Sequence, residues 1–157
     1  MTDTSGAHTW VVLWRAARAV EGRAHESIAG TGLGRSDFAI LETLLHKGPL
    51  PVNAIGRKVL LTTGSITTAV DRLVDRGLVA RKDDLSDRRV RLVQLTLKGR
   101  KLIEPAFAAH AADLDAVVSV LTRQERATLI SLLRKLGTSA DGTAGDSPTR
   151  DDLEVSQ

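Results

Sequence analysis

This chain of 157 residues contains no cysteine, and that absence removes several classes of protein at once. Without a thiol there is no disulfide framework, no cysteine zinc site, no thiol nucleophile and no thiol redox switch. Tyrosine is also absent, and aromatic residues make up only 3% of the chain. We therefore do not expect an aromatic platform that stacks the unpaired bases of RNA or single-stranded DNA.

Long hydrophobic runs are missing as well. No apolar stretch approaches the roughly 18 residues needed to span a bilayer. The amino terminus, MTDTSGAHTW, lacks the basic and then apolar pattern of a signal peptide. We expect a cytoplasmic protein without a membrane segment. A hydrophobic content of 42% in 157 residues suits one ordinary core.

Motifs of catalysis are scarce. The histidines lack HxxxH and HExxH spacing, and Walker, dinucleotide and nucleophile-elbow motifs are missing. The GTGLG string at residues 30–34 resembles a phosphate loop only superficially, because no Lys-Ser or Lys-Thr pair follows it. His110 and Asp113 could ligate a metal at i, i+3 spacing, but a lone histidine more often lies on a surface or in a core. We expect no catalytic residues, no metal and no cofactor.

Positive charge is concentrated in one segment. Residues 57–101 hold 12 of the 22 Lys and Arg residues but only 5 of the 19 Asp and Glu residues, which gives a net charge of +7. The rest of the chain, with 10 basic and 14 acidic residues, has a net charge of −4. This local asymmetry indicates a surface that binds a polyanion.

Apolar residues at helical spacing predict a mainly α-helical chain. A first amphipathic helix ends at the GTGLG string, and Ser36 is the predicted N-cap of a second helix. A short third helix follows Pro51. A fourth helix stops at Gly77, a predicted left-handed C-cap.

The outward face of the fourth helix is rich in small hydroxyl side chains. Such side chains at a helix N-terminus can approach phosphates and base edges closely, and the positive end of the helix dipole favours an anion. Asp71, on the same face, is predicted to orient a neighbouring arginine, with plain solvation as the alternative. Capping of the helix is the alternative for the hydroxyls. The face and the turn before it contain Thr62, Thr63, Gly64, Ser65, Thr67, Thr68, Asp71 and Arg72.

A basic hairpin is predicted after this helix. Residues 78–80 lead into a strand, residues 91–96 return as its partner, and DDLSDRR forms a turn too polar to be core. An arginine-tipped ribbon beside a recognition helix can reach the minor groove of DNA, whose negative potential attracts guanidinium groups. A solvated hairpin without a partner is the alternative.

The last third of the chain predicts two further helices. The first is interrupted by a kink at Pro105, and the second begins at Thr122 with Glu125 completing a capping box. Their many leucines indicate contact with another surface, although an intrachain core accounts for part of them. The last 21 residues are small, polar and acidic and should be disordered.

Taken together, these motifs resemble those of the multiple antibiotic resistance regulator (MarR) family of dimeric winged-helix transcription factors. The family's wing signature is met by Asp87, Arg89, Val93, Leu95 and Thr96. The preceding ITTAVDRLVDRGLVAR, residues 66–81, is similar to the family's recognition helix and its exit into the wing. The resemblance covers roughly residues 8–137.

The resemblance implies a mainly α fold with a small β-wing. It implies a DNA-binding lobe with a winged helix-turn-helix at about residues 36–100 and dimerisation helices at about residues 8–29 and 97–137. Residues 1–7 would form a flexible amino terminus, and residues 138–157 a disordered acidic tail. Asp87 would hold the wing turn or an arginine in place. The positions that the resemblance assigns to DNA are Thr62, Thr63, Ser65, Thr67, Thr68, Arg72, Arg88, Arg89 and Arg91.

The resemblance also implies a homodimer that represses transcription from a pseudo-palindromic operator in double-stranded DNA until an effector binds. HKGPLPVNAIGRKVLLTTGSIT, residues 46–67, is similar to a branch that responds to quinones and related aromatics. A small aromatic or phenolic effector is therefore expected in a cleft between the first, second and fifth helices. The candidate lining residues are Trp14, Arg18, Phe38 and His46.

Two other functions remain open on the sequence. A winged-helix module could use the same surface to bind an acidic protein. A small-molecule-binding protein could keep the fold and lose DNA binding, although the arginines of the hairpin argue against this.

Overall fold

The computed structural model describes residues 3–84 and 90–140. Helices predominate, and the described strands form a small antiparallel sheet, as the sequence predicts. The chain divides into two compact units, with the boundary between Leu114 and Asp115 near the end of the fifth helix. In chain order the elements are α1 (Gly6–Ala29), α2 (Arg35–Lys47), β1 (Leu50–Pro51), α3 (Val52–Lys58), α4 (Thr63–Asp75), β2 (Val79–Asp83), β3 (Arg91–Leu95), α5 (Leu97–Val118) and α6 (Arg123–Ala140).

The core of the first unit is formed by helices and sheet together. Apolar residues of α2 and α4 recur at helical spacing, so each helix presents one continuous face to the interior. The sheet adds its inward valines, and α5 adds one isoleucine. The largest fully buried side chains are Phe38, Ile40, Leu41, Leu44, Ile55, Ile66, Val70, Leu73, Val79, Val93 and Ile103.

Helix α4 ends in a Schellman motif at Gly77. Gly77 has a φ of 69°, in the left-handed region that glycine adopts without strain. Its N–H donates to the carbonyl of Val74 at 2.8 Å, and the N–H of Leu78 donates to the carbonyl of Leu73 at 2.9 Å. The predicted glycine C-cap is confirmed, and the chain passes directly from it into β2.

Strands β2 and β3 form the predicted hairpin. They pair antiparallel, with Val79 opposite Leu95 and Asp83 opposite Arg91. The sheet order is β1-β3-β2, so the two-residue strand Leu50–Pro51 covers the other side of β3. This strand was not predicted, because two residues carry no periodicity and its partner lies some 40 residues away.

The base of the wing is a tight junction around Thr96. The Thr96 hydroxyl donates to the carbonyl of Gly77 at 2.7 Å and accepts from the N–H of Gly99 at 3.0 Å. The Thr96 N–H donates to the carbonyl of Leu78 at 3.1 Å. A Cβ atom on Gly99 would lie 1.9 Å from the Leu78 carbonyl oxygen, so the first turn of α5 touches the exit of α4 directly.

Two predictions about helices are wrong. Ser36 lies inside α2, and the N-cap is Gly34. Gly34 has an extended backbone (φ −72°, ψ 161°) and no side chain that could form a cap hydrogen bond. Asp37 lies in the first turn of α2, where it is buried and accepts hydrogen bonds from Arg72 of α4 and from Arg76, the C-cap of α4. Helix α5 is not interrupted at Pro105 but continues through it, and the predicted kink stays a prediction. A proline costs one backbone hydrogen bond, which the rest of a 22-residue helix can tolerate.

The second unit contains α6, which begins with the predicted capping box. The N–H and hydroxyl of Thr122 donate to the Glu125 carboxylate, both at 2.8 Å, and these bonds lower the pKa of Glu125. The Glu125 N–H donates back to the Thr122 hydroxyl at 3.3 Å. Helix α6 continues to Ala140, so residues 138–140 of the predicted tail are helical. Residues 141–157 lie outside the described part of the chain.

Candidate DNA interface

The outward face of α4 is determined by burial of its opposite face. The buried positions are Ile66, Ala69, Val70 and Leu73. Because these recur at helical spacing, the positions between them face solvent. The predicted DNA-reading residues of α4 and its cap are all exposed: Thr62, Thr63, Ser65, Thr67, Thr68 and Arg72.

Several hydroxyl groups of this face also bond within the helix. Thr62 is the N-cap and accepts from the Ser65 N–H at 3.3 Å, so the capping alternative holds at this position. Thr67 and Thr68 donate to carbonyls one turn earlier, at 2.9 and 3.1 Å. Each hydroxyl oxygen keeps lone-pair capacity that can accept from the amino group of a base.

An open groove runs beside the N-terminus of α4. Its volume is about 650 Å³, and it brings together the predicted residues Thr62, Ser65, Thr68 and Arg72. The positive end of the helix dipole lies at this end of α4 and favours an anion there. The rest of the lining comes from Ser36, Leu61, Gly64 and Ala69.

Arg72 is held by a carboxylate that the sequence reasoning missed. Asp37 is 3% exposed, and both of its oxygens accept from Nε of Arg72, at 3.2 and 3.1 Å. Nη2 of Arg72 also donates to Asp37, and these contacts raise the pKa of Arg72. The available signal was spacing, because residue 37 shares the helical stripe of the buried Ile40, Leu41 and Leu44.

The prediction that Asp71 orients an arginine is confirmed. Nη2 of Arg81 donates to Oδ1 of Asp71 at 2.5 Å. Asp71 lies on α4 and Arg81 on β2, so the ion pair joins the recognition helix to the wing. The positive charge of Arg81 offsets the negative charge of Asp71 on this exposed face.

The wing carries exposed basic side chains. Arg81, Lys82 and Arg91 are exposed on the paired strands. Nε of Arg91 lies 3.7 Å from Oδ1 of Asp83, its cross-strand partner, which restrains it weakly at the surface. The other wing residues of the prediction, Asp87, Arg88 and Arg89, lie outside the described residues.

Two of the predicted effector-lining residues lie on α2 against aromatic partners. Phe38 is 2% exposed and packs edge-on against His110, with ring centroids 5.0 Å apart. His46 packs in the same way against Phe107, at 4.5 Å. Phe38 is therefore a core residue that also borders a polar ring.

The other two predicted lining residues lie on α1. Trp14 is 50% exposed. Arg18 lines a cleft of about 220 Å³ that does not include the other three predicted residues. The remaining walls of this cleft are Glu21, Gly22, His25 and Arg35.

A buried polar cluster connects α1 and α5. The Ser27 hydroxyl donates to the Ala24 carbonyl at 2.9 Å and forms a hydrogen bond with Nδ1 of His110 at 2.5 Å. Sequence reasoning treated His110 as an ordinary surface or core histidine, and its burial at 7% exposure agrees with the core alternative.

Glu42 lies near this cluster, and burial raises its pKa above the ordinary value of 4.5, while His110 and His46 act in the opposite direction. Stability linked to such a raised pKa is present at low pH and is lost as pH rises through the folded-state value. We expect Glu42→Gln to gain stability relative to the wild type as pH rises from 4 to 7. Urea unfolding at both pH values measures this difference, and a difference independent of pH would contradict it.

Within residues 3–84 and 90–140, no group of three metal-ligating side chains could hold a metal ion. None of the helices in those ranges is long and apolar enough to cross a membrane. The geometry that stands out is the exposed α4 face, its groove and the basic wing.

Known proteins are similar to this chain in sequence and in fold. A family model described as "MarR family" matches residues 33–90. HTH-type transcriptional regulator MhqR of Bacillus subtilis (strain 168) is 40% identical over 140 residues, which cover 89% of this chain and 96% of that protein. A solved MarR family protein from Bacillus stearothermophilus has a TM-score of 0.72 at 28% identity, covering 90% of this chain and 99% of its own.

A further similar structure is that of BpsR from Bordetella bronchiseptica. It describes a mechanism by which 6-hydroxynicotinic acid regulates the DNA binding of BpsR. It has a TM-score of 0.72 at 25% identity, covering 87% of this chain and 96% of its own. Identity of 40% over nearly the whole of both chains, together with the shared winged-helix fold, shows that this chain belongs to the MarR family of DNA-binding transcriptional regulators.

Proposed function

We propose that this chain is a homodimeric, ligand-responsive repressor that reads a pseudo-palindromic operator. The observation that carries the proposal is the Asp71–Arg81 ion pair, which fixes the exposed face of α4 relative to the wing. A helix and a ribbon held in one arrangement can enter adjacent grooves of one duplex. In this proposal α4 enters the major groove through its hydroxyl face and Arg72, and the wing enters the minor groove through Arg88, Arg89 and Arg91.

Exposed apolar side chains support the homodimer. Trp10 and Trp14 on α1 are 62% and 50% exposed, one turn apart. Monomeric proteins rarely expose large contiguous apolar patches. We therefore assign α1, the later part of α5 and α6 to dimerisation, with the DNA-binding lobe at about residues 36–100. On α6 the exposed apolar residues are Leu129, Ile130, Leu132, Leu133 and Leu136.

We place the small aromatic or phenolic effector between α1, α2 and α5. The ring pairs Phe38–His110 and His46–Phe107 offer aromatic edges beside a polar cluster, a combination suited to a hydroxylated ring. BpsR supplies a relative whose DNA binding responds to a hydroxylated aromatic acid. The effector would act only through its different affinity for the DNA-binding and released conformations, with a coupling of about 1–3 kcal/mol.

A mobility-shift titration tests the proposal. Purified protein is bound to a duplex from its own promoter and then titrated with a panel of phenols and hydroxylated aromatic acids. We expect at least one compound to release the duplex, by roughly 5- to 150-fold in affinity. Binding that none of the panel alters would contradict the aromatic effector while leaving DNA binding intact.

Arg89→Ala tests the wing. Loss of one groove-reaching guanidinium should weaken operator binding by about 1–3 kcal/mol and reduce its salt dependence, with the oligomeric state unchanged. Fluorescence anisotropy at two salt concentrations measures both effects. Arg15→Ala, on α1 outside the DNA-binding lobe, is the control. Equal affinities for the wild type and the Arg89 variant would remove the wing from the proposal.

A further inference from the structure

Asp37 is a charged group in an apolar setting. It lies in the first turn of α2, 3% exposed, and its neighbours along the chain and one turn on, Phe38, Ile40 and Leu41, are core residues. An isolated carboxylate there would be strongly destabilising, because burial removes its hydration. Its stability in the fold therefore depends on its donors.

The principal donors are Arg72 on α4 and Arg76, the C-cap residue of the same helix. Arg72 donates through Nε and Nη2, and Nη1 of Arg76 lies 3.4 Å from Oδ2 of Asp37. Nη2 of Arg76 also donates to the carbonyl of Gly32 at 3.3 Å. Two successive turns of the recognition helix are thus attached to the start of α2, and one of them also to the loop before it.

The attachment uses only one edge of the Arg72 guanidinium. A guanidinium has five N–H donors in a fixed plane, so engagement of Nε and Nη2 leaves both hydrogens of Nη1 and one of Nη2. The Arg72 side chain is 47% exposed and lines the groove with Thr62, Ser65 and Thr68. Arg72 therefore keeps N–H donors that Asp37 does not use, on a side chain that lines the groove.

A side chain fixed in this way loses its rotamer freedom on folding and not on binding. We infer that Asp37 is a positioning residue for DNA recognition, which holds Arg72 in the orientation that reads the operator. The inference rests on the proposed reading of DNA by α4. DNA cannot contact a carboxylate that is buried behind Arg72, so Asp37 acts through the arginine alone.

Asp37→Asn tests the inference, because it keeps the size of the side chain and removes the charge. Anisotropy titrations compare an operator duplex with a scrambled duplex. We expect operator affinity to fall about tenfold, the value of one well-placed arginine contact. Affinity for scrambled DNA should stay level or rise, because the variant gains one positive charge. A purely structural role would instead weaken both affinities equally and overturn the inference.

A double-mutant cycle identifies Arg72 as the intermediary. In an Arg72→Ala background, Asp37→Asn should change operator affinity less than twofold, because the residue through which it acts is already gone. An effect of the same factor in both backgrounds would overturn the inference while leaving the proposed function intact. A wild-type protein that does not prefer its operator would overturn both.

Arg72→Lys covers the case in which Asp37→Asn does not fold. Lysine keeps the charge on an exposed side chain, but one ammonium cannot bind Asp37 and face the groove together. The ratio of operator to scrambled affinity should fall about tenfold, with scrambled affinity preserved. The control is Arg23→Lys, at an exposed position of α1, which should leave the ratio of operator to scrambled affinity unchanged. A ratio that Arg72→Lys does not alter would overturn the inference.

Discussion

Gly99→Ala is expected to destabilise the protein by about 2–4 kcal/mol, which lowers the melting temperature by roughly 5–15 °C. The reason is steric, since the new Cβ would lie 1.9 Å from the backbone oxygen of Leu78. A backbone atom cannot rotate aside as a flexible side chain can. Relief requires α5 to move away from Leu78, which breaks the bonds that Thr96 makes to the carbonyls of Gly77 and Leu78.

Gly22→Ala is the matched control for this variant. Gly22 also lies inside a helix, but a Cβ there would meet nothing within 4 Å. Alanine is the better helix former, so this variant should gain about 0.5–1 kcal/mol. Thermal and urea unfolding, followed by circular dichroism, measures the stability of both variants relative to the wild type. Equal stability of the two variants would show that the contact between α5 and Leu78 is not tight.

The largest expected functional effect comes from α6. Leu129→Glu combined with Leu133→Glu places two charges on an apolar stripe whose leucines are 43% and 42% exposed in the single chain. If this stripe is the dimer surface, burial of the charges is prohibitive and the protein becomes monomeric. A monomer engages one half-site, so operator affinity should fall about 100-fold or more through loss of bivalency.

Sedimentation equilibrium and anisotropy measure the two consequences of this change. Ala127→Glu combined with Ser131→Glu is the control, because it adds two carboxylates at the same spacing on the opposite face of α6. The control should remain dimeric and bind the operator as the wild type does. A stripe variant that stays dimeric with unchanged affinity would exclude this face of α6 from the interface.

The sequence predicted those features whose cause is local. Gly77 signals its own left-handed turn, and the spacing of Thr122 and Glu125 signals a capping box. The α4 face follows from the periodicity of its buried residues. The ion pair of Asp71 was also predictable in kind, since a carboxylate on a basic surface is stabilised by a cationic partner.

The features that sequence reasoning missed depend on contacts between distant residues. Asp37 pairs with Arg72, which is 35 positions away in the sequence, and the residues next to Asp37 do not indicate this partner. The closeness of Gly99 to Leu78 arises only when the hairpin closes. Serine is a common N-cap, which is why the sequence predicts one at Ser36, but the helix begins at Arg35 with Gly34 as its N-cap.

The central claim is that the surface formed by α4 and the wing recognises one DNA sequence. The most direct test is the affinity of the purified wild-type protein for its own promoter duplex and for a scrambled duplex of equal length, each at two salt concentrations. We expect a preference for the promoter of about 10³ or more, with both affinities falling as salt rises. Equal affinity for the two duplexes at both salt concentrations would contradict it.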